Sequence, residues 1–155
     1  MRRFEYLVPA TLDEAVGLLV QHGGREAVLA GGTDLLVQMK ARTWKPDFVV
    51  NIKEIPGLDS LVYDGDKGLR IGALTPVRAI ETSPVVEEHY AGLAQGARAL
   101  GSIQIRNRAT LVGNICRASP SADLAPPLLA DGAVLKAYGP EGERRIPLAD
   151  FFTGP

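Results

Sequence analysis

The chain has 155 residues, 17 of them Lys or Arg and 18 Asp or Glu, for a formal net charge of −1. At roughly 100–200 residues per domain this is one domain or two small lobes sharing an interface, long enough to bury roughly 68–70% of its unfolded surface without a metal or a disulfide. The charge balance leaves no basic excess to neutralise a phosphate backbone, which excludes a nucleic-acid partner, while 17 Gly and 11 Pro mark a chain rich in tight turns.

The start Met1-Arg2-Arg3-Phe4-Glu5 lacks the apolar core of a signal peptide, and no apolar run approaches the ~20 residues of a membrane span. The expected location is therefore the cytoplasm. Thr11-Leu12-Asp13-Glu14 has the spacing of a capping box. Leu12, Ala15, Val16, Leu19 and Val20 then recur at helical period, and Gly23-Gly24 supplies a left-handed end. Residues 26–29 read as a short buried strand, 35–40 as a helix and 48–52 as a second strand, so residues 1–55 form a small parallel α/β lobe.

After Ile55-Pro56-Gly57 the pattern changes to a hairpin over 58–63 and 69–73. Thr75-Pro76 and Ser83-Pro84 each place a capping residue before a proline, predicting two helices, the second continuing to Leu100 and stopping at Gly101. Residues 110–115, 133–137 and 144–146 read as strands, and 124–129 as a helix capped by Ser121 or Asp123. Residues 56–155 are thus a second lobe of antiparallel sheet and helices.

One cysteine, Cys116, cannot form an intramolecular disulfide, supply a four-cysteine zinc site or hold an iron–sulfur cluster. His22 and His89 lie far apart, with no H-E-x-x-H around either. No metal is expected, and redox chemistry on this chain needs a borrowed cofactor. Two stretches could hold one. Val28-Leu29-Ala30-Gly31-Gly32-Thr33-Asp34-Leu35 is a strand, two glycines, a hydroxyl and a helix start. Glycines admit a ligand close to the backbone, and free N–H groups attract phosphate oxygens. Taken alone, such a pair more often serves only to turn the chain. It is neither G-x-G-x-x-G nor G-x-x-x-x-G-K-[ST], so the Rossmann and P-loop patterns fail. In the second stretch Thr110, Gly113, Asn114, Ser119, Ser121 and Asp123 crowd small and polar groups among apolar neighbours. Such groups need polar partners when buried. Asn114 in a left-handed turn, a capping Asp123 and solvated Arg98, Arg106, Arg108 and Arg117 are the structural alternative, and Cys116 reads as a buried filler.

Ala30-Gly31-Gly32-Thr33-Asp34-Leu35, the run from Gly101 to Asn107, Thr110-Leu111-Val112-Gly113-Asn114 and Ala118-Ser119-Pro120-Ser121-Ala122-Asp123-Leu124-Ala125-Pro126 occur in that order along the chain. Together they resemble the flavin-binding medium subunit of the molybdenum hydroxylases, the family of aerobic carbon monoxide dehydrogenase, xanthine dehydrogenase and related aldehyde dehydrogenases. The resemblance implies an α+β, two-lobed FAD-binding fold of the p-cresol methylhydroxylase/vanillyl-alcohol oxidase type. FAD would lie between the lobes, held by Leu29 to Leu35 on one side and by Gly101, Thr110, Gly113 and Asn114 on the other, with Asp123 toward the ribityl or adenosine side. The family's second motif carries two adjacent glycines, and here the first is Val112. Extended backbone with its side chain turned from the cofactor would make that change harmless.

The resemblance further implies an oxidoreductase subunit without acid–base residues of its own. Two [2Fe–2S] clusters on a small partner subunit would pass electrons from a molybdopterin large subunit to FAD, and FAD would deliver them to NAD, a quinone or dioxygen. The alternatives are a stand-alone flavoprotein oxidoreductase of the same fold, which needs a substrate domain, and a scaffold that no longer binds flavin. Against the family 155 residues is short, so the resemblance also implies a truncated chain lacking the C-terminal domain and part of the flavin-ring environment.

Overall fold

The computed structural model describes residues 1–152; the last three of the expected second lobe, 153–155, lie outside the described residues. The chain opens with β1 (Glu5–Leu7), a strand too short and too exposed to show an apolar alternation. It is followed by α1 (Leu12–His22), β2 (Glu26–Leu29), α2 (Leu35–Ala41) and β3 (Phe48–Asn51). The three strands form one parallel sheet in the order β1-β3-β2, with Glu5 opposite Phe48 and Leu29 opposite Asn51. As central strand, β3 buries successive residues on both faces, and Val49 and Val50 are 1% and 0% exposed. The expected capping box forms: the Thr11 hydroxyl accepts from the Glu14 N–H at 3.1 Å, and the Glu14 carboxylate accepts from the Ala10 N–H at 2.8 Å. Gly23, at φ +54°, ends the helix as its N–H donates to the Leu19 carbonyl. Ala27, Leu29, Leu35, Met39 and Val49 make a small core of their own, with Phe4 packed against it.

Ile52, expected in the strand, instead begins a 3-10 turn over Ile52–Glu54. The hairpin beyond it is shorter than predicted, β4 (Leu61–Asp64) pairing with β5 (Gly68–Ile71). Then come α3 (Val77–Glu81), α4 (Pro84–His89), α5 (Ala91–Ala99), α6 (Ile103–Arg106), α7 (Leu111–Arg117), α8 (Ala125–Ala130), β6 (Val134–Gly139), β7 (Gly142–Pro147) and α9 (Leu148–Phe151). The strands here form two separate antiparallel pairs, β4-β5 and β6-β7. A second core gathers Ile80, Leu93, Ile115, Leu124 and Leu148, all essentially fully buried. Each such side chain stabilises the fold by roughly 1.5–3 kcal/mol.

Several local expectations are corrected. Residues 110–115 are not a strand: Thr110 caps α7, its hydroxyl accepting from the Gly113 N–H at 3.1 Å. The β-branched residues there suggested a strand, but the Thr-x-x-Gly cap decides for a helix whose Leu111 and Ile115 face the core. The helix expected to run on to Leu100 breaks at Tyr90 (φ −137°, ψ 51°), where the tyrosine hydroxyl accepts from the Leu69 N–H and ties the break to the hairpin. Thr75 does not cap; it is buried and donates to the Ser60 carbonyl at 2.9 Å, so Pro76 takes the N-cap position of α3. Neither Ser121 nor Asp123 caps α8, which starts after Leu124 with no side-chain cap. Among the described residues no helix is long and apolar enough to cross a membrane.

Candidate functional site

The two cores meet along a cleft. From the parallel sheet comes the turn after β2, and from the second core comes the segment that leads into α7. The contact between them is tight: a Cβ on Gly31 would lie 2.1 Å from the Arg108 carbonyl oxygen, so only glycine lets the two backbones approach this closely. Gly32 has φ +79°, and its Cβ would point at the Leu29 and Leu36 side chains. A side chain at either glycine therefore strikes protein first, and both have a structural task whatever else the turn does. At the far side the Tyr138 hydroxyl donates to the Asp13 carboxylate, joining β6 to α1.

The loop carrying Arg108 is held by Arg106, which is 8% exposed. Its Nε donates to Glu81 Oε2 at 2.8 Å, and one Nη donates to the carbonyls of Arg98, Leu100 and Gly101 at 3.0–3.2 Å. These are carbonyls at the end of α5, so a cation sits where the helix leaves acceptors unpaired. Hydrogen bonds from Arg78 and then Arg106 hold the Glu81 carboxyl below the usual carboxylate range, against the opposing effect of burial. A solvated Arg106 is one of the two readings open in the sequence, and its burial rules that reading out; nothing local shows that three carbonyls converge on it.

A cavity of about 1010 Å³ lies between the two segments, lined by Ala30, Gly31, Gly32, Thr33, Asp34 and Leu35 from one side and by Thr110, Gly113 and Asn114 from the other. Nine of the twelve expected site residues are thus brought together. Leu29 is buried behind the turn; Gly101, at φ +49°, binds Arg106 through its carbonyl; Asp123 is exposed with its carbonyl against Gly96. None of these three is part of the wall. The wall also includes residues not singled out as site residues: Leu19, Glu26, Gln38, Trp44 and Leu100, with Val28 and Ile105 from the two quoted stretches. The apolar character of Leu19, Val28, Trp44, Leu100 and Ile105 suits a cavity wall as well as a core, so periodicity could not single them out.

The polar groups of this wall are short of partners. Among the described residues the N–H groups of Gly31, Gly32, Thr33 and Asp34 donate no backbone hydrogen bond, giving a run of free donors of the kind that accepts an anion. Asn114 Oδ1 is buried without a partner among the described residues, and Glu26 Oε2 likewise. A buried acceptor left unpaired costs roughly 1–3 kcal/mol, which a ligand bearing a hydroxyl or N–H would recover. Asn114 is helical, and so is Val112, which is half-buried on the same wall rather than extended and turned away. Among the described residues the only non-glycine positions at positive φ are Arg42 and Ala118, so Val112 carries no backbone strain. Cys116 also lines the cavity and is exposed, not a buried filler; desolvation by the surrounding protein pushes its thiol pKa up. No group of three or more His, Cys, Asp or Glu that could hold a metal occurs among the described residues.

Known proteins share this architecture. A family model described as the FAD binding domain in molybdopterin dehydrogenase matches residues 2–155. The nicotinate dehydrogenase FAD-subunit of Eubacterium barkeri is 36% identical over 155 residues, covering 99% of this chain and 52% of that protein. The carbon monoxide dehydrogenase medium chain of Hydrogenophaga pseudoflava is 37% identical, covering 98% of this chain and 53% of the relative. In structure, carbon monoxide dehydrogenase from the latter organism superposes with a TM-score of 0.94 over 99% of this chain and 53% of the other. Quinoline 2-oxidoreductase from Pseudomonas putida 86, 25% identical, gives 0.91 over 99% of this chain and 53% of the other. The chain therefore spans about half the length of the relatives it matches. With the family model matching nearly every residue, the chain belongs to the family of FAD-binding domains of molybdopterin dehydrogenases.

Proposed function

We propose that the chain binds FAD in the cleft between two lobes, residues 1–55 and 56–155, as part of an oxidoreductase of the molybdenum hydroxylase type. The carrying observation is the cavity lined on one side by Gly31, Gly32, Thr33 and Asp34, whose N–H groups make no hydrogen bond among the described residues, and on the other by Thr110, Gly113 and the unpartnered Asn114 Oδ1. This set fits a dinucleotide. Neutral N–H donors make charge-assisted bonds to a pyrophosphate without need of a basic patch, and Asn114 accepts from a hydroxyl of the cofactor. Leu100, Ile105 and Val112 supply apolar wall against which a flat ring can lie. The p-cresol methylhydroxylase/vanillyl-alcohol oxidase type of fold accords with the two cores and the cleft between them.

When bound, FAD supplies one-electron acceptance and two-electron delivery, chemistry that belongs to the cofactor and not to side chains. The role of this chain is to hold the dinucleotide and shield one side of it. The relatives named as a medium chain and an FAD-binding subunit support a place in a complex of several subunits; on this reading a small subunit carries [2Fe–2S] clusters and a large one molybdopterin, electrons passing from the clusters to FAD and on to NAD, a quinone or dioxygen. Asp123 and Gly101 act through the backbone around the cleft on this reading, and the cytoplasm is its compartment.

A comparison of FAD with riboflavin, which lacks the pyrophosphate, tests the assignment by equilibrium titration of flavin fluorescence. FAD is expected to bind at least about tenfold more tightly, the worth of one charge-assisted hydrogen bond. Equal affinity would remove the pyrophosphate from the glycine turn.

A further inference from the structure

Beyond Gly31 and Thr110 the cleft continues into a smaller chamber of about 300 Å³, walled by Lys53, Glu54, Asp59, Asn107 and Arg108 together with Ala30 and Gly31. The chamber stands at the carboxyl ends of β2 and β3, the end of a parallel sheet at which ligands bind. Lys53 belongs to the 3-10 turn that leaves β3, and its N–H donates to Asn51 Oδ1 at 3.2 Å. Arg108 is brought to the same place by the contact of its carbonyl with Gly31. Desolvation, and after it the Arg108 charge, pull the Lys53 ammonium pKa down, with Glu54 opposing more weakly. Among the described residues neither cation has an ion-pair partner. Two cations that feel each other in a concave site, with no carboxylate bound to either, are stabilised by an anion between them.

We propose that Lys53 and Arg108 form an anion site for a phosphate group at the entrance of this chamber, with Glu54 and Asp59 in reach of the hydroxyls of a sugar that carries it. The nearest source is the cofactor's own pyrophosphate, and to that extent the proposal rests on the FAD reading. A separately bound nucleotide offers the same chemistry.

The test measures the melting temperature of the protein with inorganic pyrophosphate, before and after saturation with FAD, alongside FAD affinity, in the parent, Lys53→Met, Arg108→Met and Arg108→Lys. Both side chains are exposed and unpaired, so the variants should fold as the parent does. Pyrophosphate is expected to stabilise the parent, each Met variant should lose that response or bind FAD about tenfold more weakly, and Arg108→Lys should retain much of both. The loss should shrink at high salt. If FAD abolishes the pyrophosphate response, the site serves the cofactor; if the response persists, it serves a second nucleotide. Met variants that match the parent in both readouts would overturn the site. A parent that responds to pyrophosphate through Lys53 and Arg108 yet fails to bind FAD would refute the cofactor reading alone.

Discussion

Replacing Gly31 with alanine adds one methyl group at the closest approach of the two halves of the molecule. The new Cβ would stand 2.1 Å from the Arg108 carbonyl oxygen, 2.9 Å from its carbonyl carbon and 3.0 Å from Ala109 Cα, all backbone atoms. An ordinary contact begins near 3.4 Å, so the turn and the loop must separate by roughly 1.3 Å. Neither can yield by rotating a side chain, and the loop is fastened by the Arg106 bonds to three carbonyls. Overpacking of this kind costs about 1–3 kcal/mol. For a chain of this size the melting temperature should fall by roughly 2–12 °C. Because the same separation pulls the free N–H groups from the Thr110 side, FAD affinity should fall as well. Differential scanning calorimetry with and without FAD reads both effects. A variant that melts with the parent and binds FAD equally would show that the two backbones are not in the contact described.

Asn114→Ala removes a buried acceptor that has no protein partner, so the apoprotein should lose little stability or gain some, while FAD binding weakens by about 1–3 kcal/mol; calorimetric titration beside thermal melting separates the two. Arg106→Met removes one of the two arginines paired with Glu81 and the donor shared by three carbonyls, and should cost about 1–3 kcal/mol in urea unfolding. The folded-state pKa of Glu81 is depressed, so its contribution is present above the usual carboxylate range and lost as pH falls below it. Melting curves of parent and Glu81→Gln should accordingly converge in acid and separate near neutrality. Gly17 lies inside α1 with nothing within 4 Å of a Cβ, so Gly17→Ala should raise stability by about 0.5–1 kcal/mol without touching FAD affinity.

What could be read from the sequence follows the range of the forces involved. The capping box at Thr11 and the left-handed Gly23 are set by neighbours within a few residues, and each appears as expected, whereas β2, expected to be buried, buries only Ala27 and Leu29 and leaves Val28 45% exposed. Where long-range contacts decide, local pattern misleads. The Val112 and Ile115 side chains favour a strand on propensity alone, but the core wants Leu111 and Ile115 on one helical face. Tyr90 breaks a continuous helical pattern because its hydroxyl is claimed by Leu69, 21 residues earlier. The glycine turn and the Thr110 segment were recognisable as a likeness to one family, yet their meeting across Gly31 and Arg108 is a tertiary fact. So is the Lys53–Arg108 chamber, whose members are 55 positions apart and carry no shared motif.

The most direct measurement is a crystal structure of the protein with FAD bound. The pyrophosphate is expected against the backbone of Ala30 to Asp34, across from Thr110 and Gly113, with a cofactor hydroxyl donating to Asn114 Oδ1. FAD bound elsewhere, or bound in this cleft with Asn114 Oδ1 still unpaired and the Gly31–Asp34 N–H groups in water, would contradict the assignment.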